Sequence, residues 1–266
     1  MVTIADGTPA ELPRRRISES FGDDPARYDR ARPRYPRELI EQVVAGRPGS
    51  VLDVGCGTGI AARQFQEAGC EVLGVEPDER MAAFAVASGV PVEMAKFEDW
   101  DSRGRVFDAI VAGMTWHWVD AERGAAQAAR VVRPGGRMAL FWNAFQVPAE
   151  LAEAFAAVYA RVLPEQPMYQ HGLRAGREVY APLLASTAEV LSGEFEKVEQ
   201  WRFDWQQLYT RDEWVDLAPT FGGHALLPKA TVEELMARIG AEIDKVGGSF
   251  VVEYATVAVT AVRRSS

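Results

Sequence analysis

The chain has 266 residues, 48% of them hydrophobic, which is enough to bury a full core and to form one substantial domain. Its formal net charge of −9 excludes a general polyanion-binding surface, and basic residues gather only at Arg14-Arg15-Arg16 and between Arg27 and Arg37. Two cysteines, Cys56 and Cys70, supply neither a disulfide framework nor a metal-binding pattern, so buried thiols in a reducing compartment are expected.

From the N-terminus, residues 1–16 are polar, hold two prolines and lack periodicity, which predicts a mobile arm. No apolar signal-peptide core is present there, and no long apolar span follows, so a cytoplasmic protein with no membrane partner is expected. Residues 17–36 are punctuated by Phe21, Tyr28, Arg32-Pro33 and Tyr35-Pro36. A helix is predicted over 37–45, with Leu39, Ile40, Val43 and Val44 on one face.

An alternation of strands and helices comes next. Strands are predicted near 50–54, 71–76, 91–94, 107–112 and 137–142, and helices near 59–68, 78–87 and 120–131. This beat predicts a parallel sheet with helices on both faces. Arg133-Pro134-Gly135-Gly136 reads as a turn that launches the fifth strand. After Asn143 the regularity loosens: helices are predicted at 149–163, 211–218 and 230–245, strands at 195–205 and 250–262, and a partly helical stretch at 164–194. One domain is expected over 17–266, with cap elements at about 17–36, 146–194 and 206–249.

The chemistry concentrates where the first strand ends, at Val51-Leu52-Asp53-Val54-Gly55-Cys56-Gly57-Thr58-Gly59. A strand feeding a helix through a glycine-dense turn brings bare backbone against a ligand near the helix N-terminus. Glu76 closes the second predicted strand, where a carboxylate can hold the two hydroxyls of a ribose. The dinucleotide fingerprint needs a small residue where this chain has Ile60. An acid at Asp53 would repel a pyrophosphate but suits a cofactor carrying an ammonium and a sulfonium. The alternative is a tight glycine turn without a ligand.

The pattern D-x-G-x-G-x-G, here Asp53 to Gly59, resembles the first motif of the class I S-adenosylmethionine-dependent methyltransferases. The resemblance covers roughly residues 20–145 by motif and the remainder by the order of elements. It implies a doubly wound α/β fold, with a seven-stranded, mostly parallel sheet and an antiparallel last strand. It implies S-adenosyl-L-methionine as cofactor, S-adenosyl-L-homocysteine as product, and a cofactor site of Asp53, Gly55, Cys56, Gly57, Gly59, Glu76, Pro77, Phe97, Glu98 and Thr115. Where the family often has an aspartate before the position of Phe97, this chain has Lys96, so the adenine amino group is expected at Glu98 or a backbone carbonyl.

Two further segments resemble the trans-aconitate-methyltransferase-like branch. Tyr28-Asp29-Arg30-Ala31-Arg32-Pro33-Arg34-Tyr35-Pro36 is similar to a segment that folds over the cofactor. It adds Tyr28 and Arg32 to the implied cofactor site, Arg32 as a clamp for the methionine carboxylate; a surface turn with stacked aromatics is the alternative. Met114-Thr115-Trp116-His117-Trp118 follows the fourth strand, at the edge where ligands of open sheets lie. Trp116 and Trp118 are candidate walls of the acceptor pocket, and His117 a candidate base for an acceptor hydroxyl or amine. A packed cluster with His117 bonded to backbone is the alternative there. His171 and His224 fall in the cap regions, where a surface or pocket-lining position is expected, and no histidine pair has metal-ligand spacing, so no metal is expected.

The activity implied is methyl transfer to the oxygen, nitrogen or carbon of a small molecule, with no nucleic-acid partner. A protein or nucleic-acid methyltransferase, or a cofactor-binding protein without transfer, stays open. Acceptor identity and oligomeric state are not legible in the sequence.

Overall fold

The computed structural model describes residues 11–45, 49–165 and 176–265. Seven strands run in chain order: β1 (Ser50–Val54), β2 (Glu71–Glu76), β3 (Val92–Met94), β4 (Phe107–Gly113), β5 (Val132–Gln146), β6 (Phe195–Thr210) and β7 (Ser249–Arg263). They form one sheet in the order β3-β2-β1-β4-β5-β7-β6, parallel from β3 through β5 and with antiparallel last strands. The doubly wound sheet expected from the alternation is the one observed.

The chain divides into two compact units. The first, here the glycine-turn unit, takes residues 33–143, 180–203 and the chain from 256 onward. The second, here the aromatic unit, takes the chain up to 32, 144–179 and 204–255.

In the glycine-turn unit the central strands are apolar without alternation because helices cover both faces of a parallel sheet. Val51, Val111 and Ala139 of β1, β4 and β5 are fully buried with Phe65 and with Leu39, Ile40 and Val43. Those last three lie on α3 (Arg37–Val44), while Phe65 lies on α4 (Ile60–Glu67). Two acids fix the next helix starts. Asp78 accepts the N–H groups of Arg80 and Met81 to begin α5 (Glu79–Ala87), and Asp120 accepts that of Arg123 to begin α6 (Ala121–Val131). The unit's remaining helix, Ala181–Glu194, leads into β6.

β5 starts five residues earlier than the predicted strand near 137. Val132 pairs with Phe107 and Arg137 with Ala109, so residues 133–136 bow out opposite Asp108 alone. The Pro-Gly-Gly run read as a turn is therefore a bulge within a longer strand, with Gly135 at φ +72°. Asp108 accepts Ser50 N–H at 2.8 Å and pairs with Arg133; these bonds hold its carboxyl down to about 2.

The aromatic unit contains α1 (Glu11–Ser20), α2 (Pro25–Ala31) and α7 (Ala149–Val162). With Ala181–Glu194 numbered α8, its later helices are α9 (Arg211–Leu217) and α10 (Lys229–Lys245). Residues 11–16, expected in the mobile arm, are thus helical, while 1–10 lie outside the described residues. Leu235, Met236, Ile239 and Ile243 form the buried stripe of α10 and join Leu151, Phe155 and Trp214 in one core. Thr210 and Glu213 make a reciprocal capping box at the start of α9. Among the described residues, no helix is long and apolar enough to cross a membrane.

Candidate functional site

The turn after β1 is built from left-handed backbone. Gly55, Gly57 and Gly59 have φ of +59°, +56° and +86°, a region that side chains rarely enter. Gly55 is also closed in by its neighbours, since a Cβ there would stand 2.1 Å from Thr115 Cγ2. The Thr115 hydroxyl donates to Gly55 O at 2.9 Å, with Gly113 O at 3.2 Å as a second acceptor, so the end of β4 holds the turn. Gly55 N–H donates to Val75 O at 2.7 Å, which ties the turn to β2 as well.

Two acids enclose this turn. Glu76 accepts Gly57 N–H at 2.8 Å and Asp78 N–H at 3.0 Å. Burial pushes its carboxyl up to about 7, against the downward pull of those two bonds. Asp53, only 1% exposed, takes the Ala62 N–H on one side, so a strand residue caps the start of α4 where Gly59 has no side chain to do so. Its Oδ2 is buried and has no hydrogen-bond partner. Burial first, and then repulsion from Glu76, raise this carboxyl to about 8. Two carboxyls pushed upward side by side are a site that a cation would relieve.

The rest of the expected cofactor set is distributed as follows. Cys56 turns its thiol towards Gly74, where a Cβ would stand 2.5 Å from Sγ, so Cys56 offers the ligand side only backbone. Burial and both acids raise that thiol well above its ordinary value, and Cys70 is raised too, so both stay protonated, as expected of buried cysteines. Pro77 is exposed between Glu76 and the cap residue Asp78. Phe97 is buried with its ring 6.1 Å from that of Trp116. Glu98 uses one carboxylate oxygen to accept Asp120 N–H at 2.7 Å, at the entry to α6.

Trp116 is 3% exposed, and it packs where Gly124 of α6 leaves room, a Cβ there standing 3.1 Å from its ring. Of the two tryptophans expected as pocket walls, Trp116 is buried and Trp118 half-buried. His117 accepts the indole N–H of Trp142 on Nδ1 at 3.1 Å. A neutral imidazole whose Nδ1 accepts carries its proton on Nε2. The Nδ1 lone pair of His117, the candidate base, is thus engaged by Trp142 in this arrangement. Trp142 was not anticipated, and an isolated tryptophan inside an apolar strand gives no sequence signal of such a bond.

The Tyr-Arg-Pro-Tyr segment is divided. Tyr35 belongs to the glycine-turn unit, where its N–H and carbonyl both bond the Gln64 amide and its ring meets Phe141 edge-on at 4.6 Å. Tyr28 and Arg32 belong to the aromatic unit, with Arg32 packed against the Tyr28 ring. His224 is buried in that unit between Tyr159 and the Phe221 carbonyl, and burial lowers its pKa to about 3. It is therefore a satisfied neutral histidine and not a pocket-lining one. His171 lies outside the described residues. Two features had no place in the sequence reading: the buried, unpartnered Thr58 hydroxyl and Arg63, which donates to Thr58 O at 2.7 Å. Among the described residues no cluster of metal-ligating side chains occurs.

An uncharacterized methyltransferase of Mycobacterium tuberculosis is 37% identical over 133 residues, 49% of this chain and 54% of that protein. A ubiquinone biosynthesis O-methyltransferase of Rhizobium etli is 31% identical over 148 residues, 53% of this chain and 60% of its own length. The chain thus spans little more than half the length of these curated relatives. Among solved structures, a putative type II methyltransferase from Anaeromyxobacter dehalogenans shares the fold with a TM-score of 0.59 and 24% identity, covering 88% of this chain and 97% of that one. A family profile described as a methyltransferase domain matches residues 28–246, and the chain belongs to that family, with the class I S-adenosylmethionine-dependent architecture.

Proposed function

We propose that the chain transfers a methyl group from S-adenosyl-L-methionine to a small-molecule acceptor, leaving S-adenosyl-L-homocysteine. The observation that carries the cofactor assignment is the buried Asp53 carboxyl, whose Oδ2 has no partner beside a turn of three glycines in left-handed backbone. Such an oxygen fits an ammonium group and opposes a phosphate. Each Glu76 oxygen accepts one backbone N–H and keeps a second lone pair for a ribose hydroxyl. Phe97 and Glu98 stand after β3, in the position proposed for adenine.

When bound, the cofactor supplies an activated methyl carbon open to direct displacement by an oxygen, nitrogen or carbon nucleophile. The protein's part is then alignment and exclusion of water, and orientation alone removes about 7–11 kcal/mol of a bimolecular barrier. A small acceptor is supported by the acidic net charge of −9, which disfavours nucleic acid.

The test is calorimetric titration with S-adenosylmethionine and S-adenosylhomocysteine, with NAD as control. Micromolar binding of the first two and none of NAD supports the reading and opens an acceptor screen that detects the demethylated product. A folded protein that binds neither would remove it.

A further inference from the structure

A cavity of about 540 Å³ opens along the exposed side of α6, lined by Arg123, Ala126 and Arg130 of that helix with Glu98, Glu194 and Arg263. All of these residues belong to the glycine-turn unit. A volume of this order holds a small molecule. Three guanidiniums against two carboxylates make the lining basic, in a chain whose net charge is −9.

The charges are balanced at one end of α6 and not at the other. At its start, Arg123 pairs with Asp99, and Glu98 spends one oxygen on Asp120 N–H at 2.7 Å. At its end, Arg130 donates to the side-chain carbonyl of Gln127. Gln127 is 5% exposed and is itself fixed by donating to Trp100 O at 2.6 Å. Arg263 donates to the carbonyl of Val132, the residue after α6. Neither Arg130 nor Arg263 has a carboxylate partner among the described residues. Each guanidinium is held in place by a neutral oxygen, retains its charge and keeps further N–H groups for a ligand. Arg264 donates to Ser192 O, which brings another cation to this end, where Glu194 is the opposing acid. The carbonyls that end a helix attract cations, which accounts for Arg263. They do not account for Arg130, whose bond goes to a buried side chain.

We infer that Arg130 and Arg263 form a phosphate-binding site at the end of α6, with the body of a phosphomonoester lying along Ala126 towards Glu98. Planar guanidiniums match the oxygens of a phosphate and bind it with charge-assisted bonds. Glu194 offers an acceptor for a hydroxyl of the same ligand. Glu98 is the one residue shared with the expected cofactor set, and the anion is placed at the opposite end of the helix. Nothing in this site requires methyl-transfer chemistry.

The test is calorimetric titration of the full chain with inorganic phosphate and with glycerol 3-phosphate. Ionic strength is held constant with chloride, because salt screens exposed charges. The wild type is expected to bind phosphate saturably. Arg130→Gln and Arg263→Gln should each weaken that binding by about fivefold or more, a loss of the size expected for a charge-assisted hydrogen bond. Arg238→Gln, on α10 and paired with Glu234, should leave it unchanged. Glycerol 3-phosphate bound at least as tightly as phosphate, with the same losses in both variants, identifies a phosphomonoester as the ligand; weaker binding identifies the free ion. Thermal melting followed by circular dichroism separates the structural share. A variant that melts earlier with unchanged phosphate affinity makes its arginine a helix cap only. That outcome in both variants overturns the site, and so does a folded wild type that binds neither anion.

Discussion

The Glu76 carboxylate accepts Gly57 N–H at 2.8 Å, so the acid that ends β2 and the turn that follows β1 are joined before any ligand arrives. The same group takes Asp78 N–H at 3.0 Å and thereby sets the approach to α5. Hydrogen bonds to a charged group contribute about 1.5–3 kcal/mol each, so Glu76 has both a structural and a ligand-binding share. Glu76→Ala is expected to weaken S-adenosylhomocysteine binding tenfold or more and to lower the melting temperature. Glu76→Gln keeps the shape and one acceptor oxygen, and should recover most of the melting temperature but little of the affinity. Equal recovery of both would make Glu76 a structural residue only.

Asp53 gives a pH dependence with a definite sign. Its folded-state carboxyl is raised from 3.8 to about 8, so between those values the folded protein keeps a proton that the unfolded chain has released. Stability therefore falls as pH rises from about 4 towards 8, and Asp53→Asn should flatten that slope. Ligand binding runs the other way. A cationic amino group favours ionised Asp53, so binding near pH 7 should release protons, and affinity should rise with pH up to about 8. Calorimetry of S-adenosylhomocysteine in buffers of different ionisation enthalpy measures the proton count directly. No proton release in the wild type would mean that Asp53 does not meet the ammonium.

Gly55 is a steric claim as much as a conformational one. A left-handed φ costs a side chain about 1–2 kcal/mol, and overpacking adds about 1–3 kcal/mol. With a Cβ only 2.1 Å from Thr115 Cγ2, Gly55→Ala is expected to lose roughly 2–5 kcal/mol in urea unfolding. Thr115→Ala removes the obstructing methyl along with the hydroxyl bond to Gly55 O. In a double-mutant cycle the two changes should cost less together than the sum of their separate effects. Strict additivity would show that the turn relaxes away from Thr115 and that the contact carries no energy.

Much of this was legible because local chemistry and tertiary demand agree at the strands. Val51 to Val54 and Phe107 to Ala112 are apolar in sequence and buried in the fold, and the helix starts at Asp78 and Asp120 are marked by their capping acids. The acids Asp53 and Glu76 stood out for a related reason, since each lies at or next to the end of an apolar strand, Asp53 two residues before Gly55. What escaped depended on distant partners. The charged run 11–16 becomes helix although its sequence has no apolar period, and Pro134-Gly135-Gly136 stays within β5 because Asp108 anchors Arg133 across the bulge. Trp116 looked like a pocket wall because nothing near it in sequence shows that Gly124 leaves space for its ring.

The bond from Trp142 to His117 decides what the histidine can do, and it can be observed without an acceptor. Trp142 is fully buried, and its indole N–H has the His117 Nδ1 lone pair as acceptor at 3.1 Å. Were Nδ1 to carry the proton, two N–H groups would face each other and the indole would lose its bond inside the core. Long-range nitrogen–proton NMR of the wild type should therefore show the neutral His117 ring almost wholly as the Nε2–H tautomer. Trp142→Phe removes the donor and should leave a mixture of both tautomers. A wild-type ring protonated on Nδ1 would overturn that assignment.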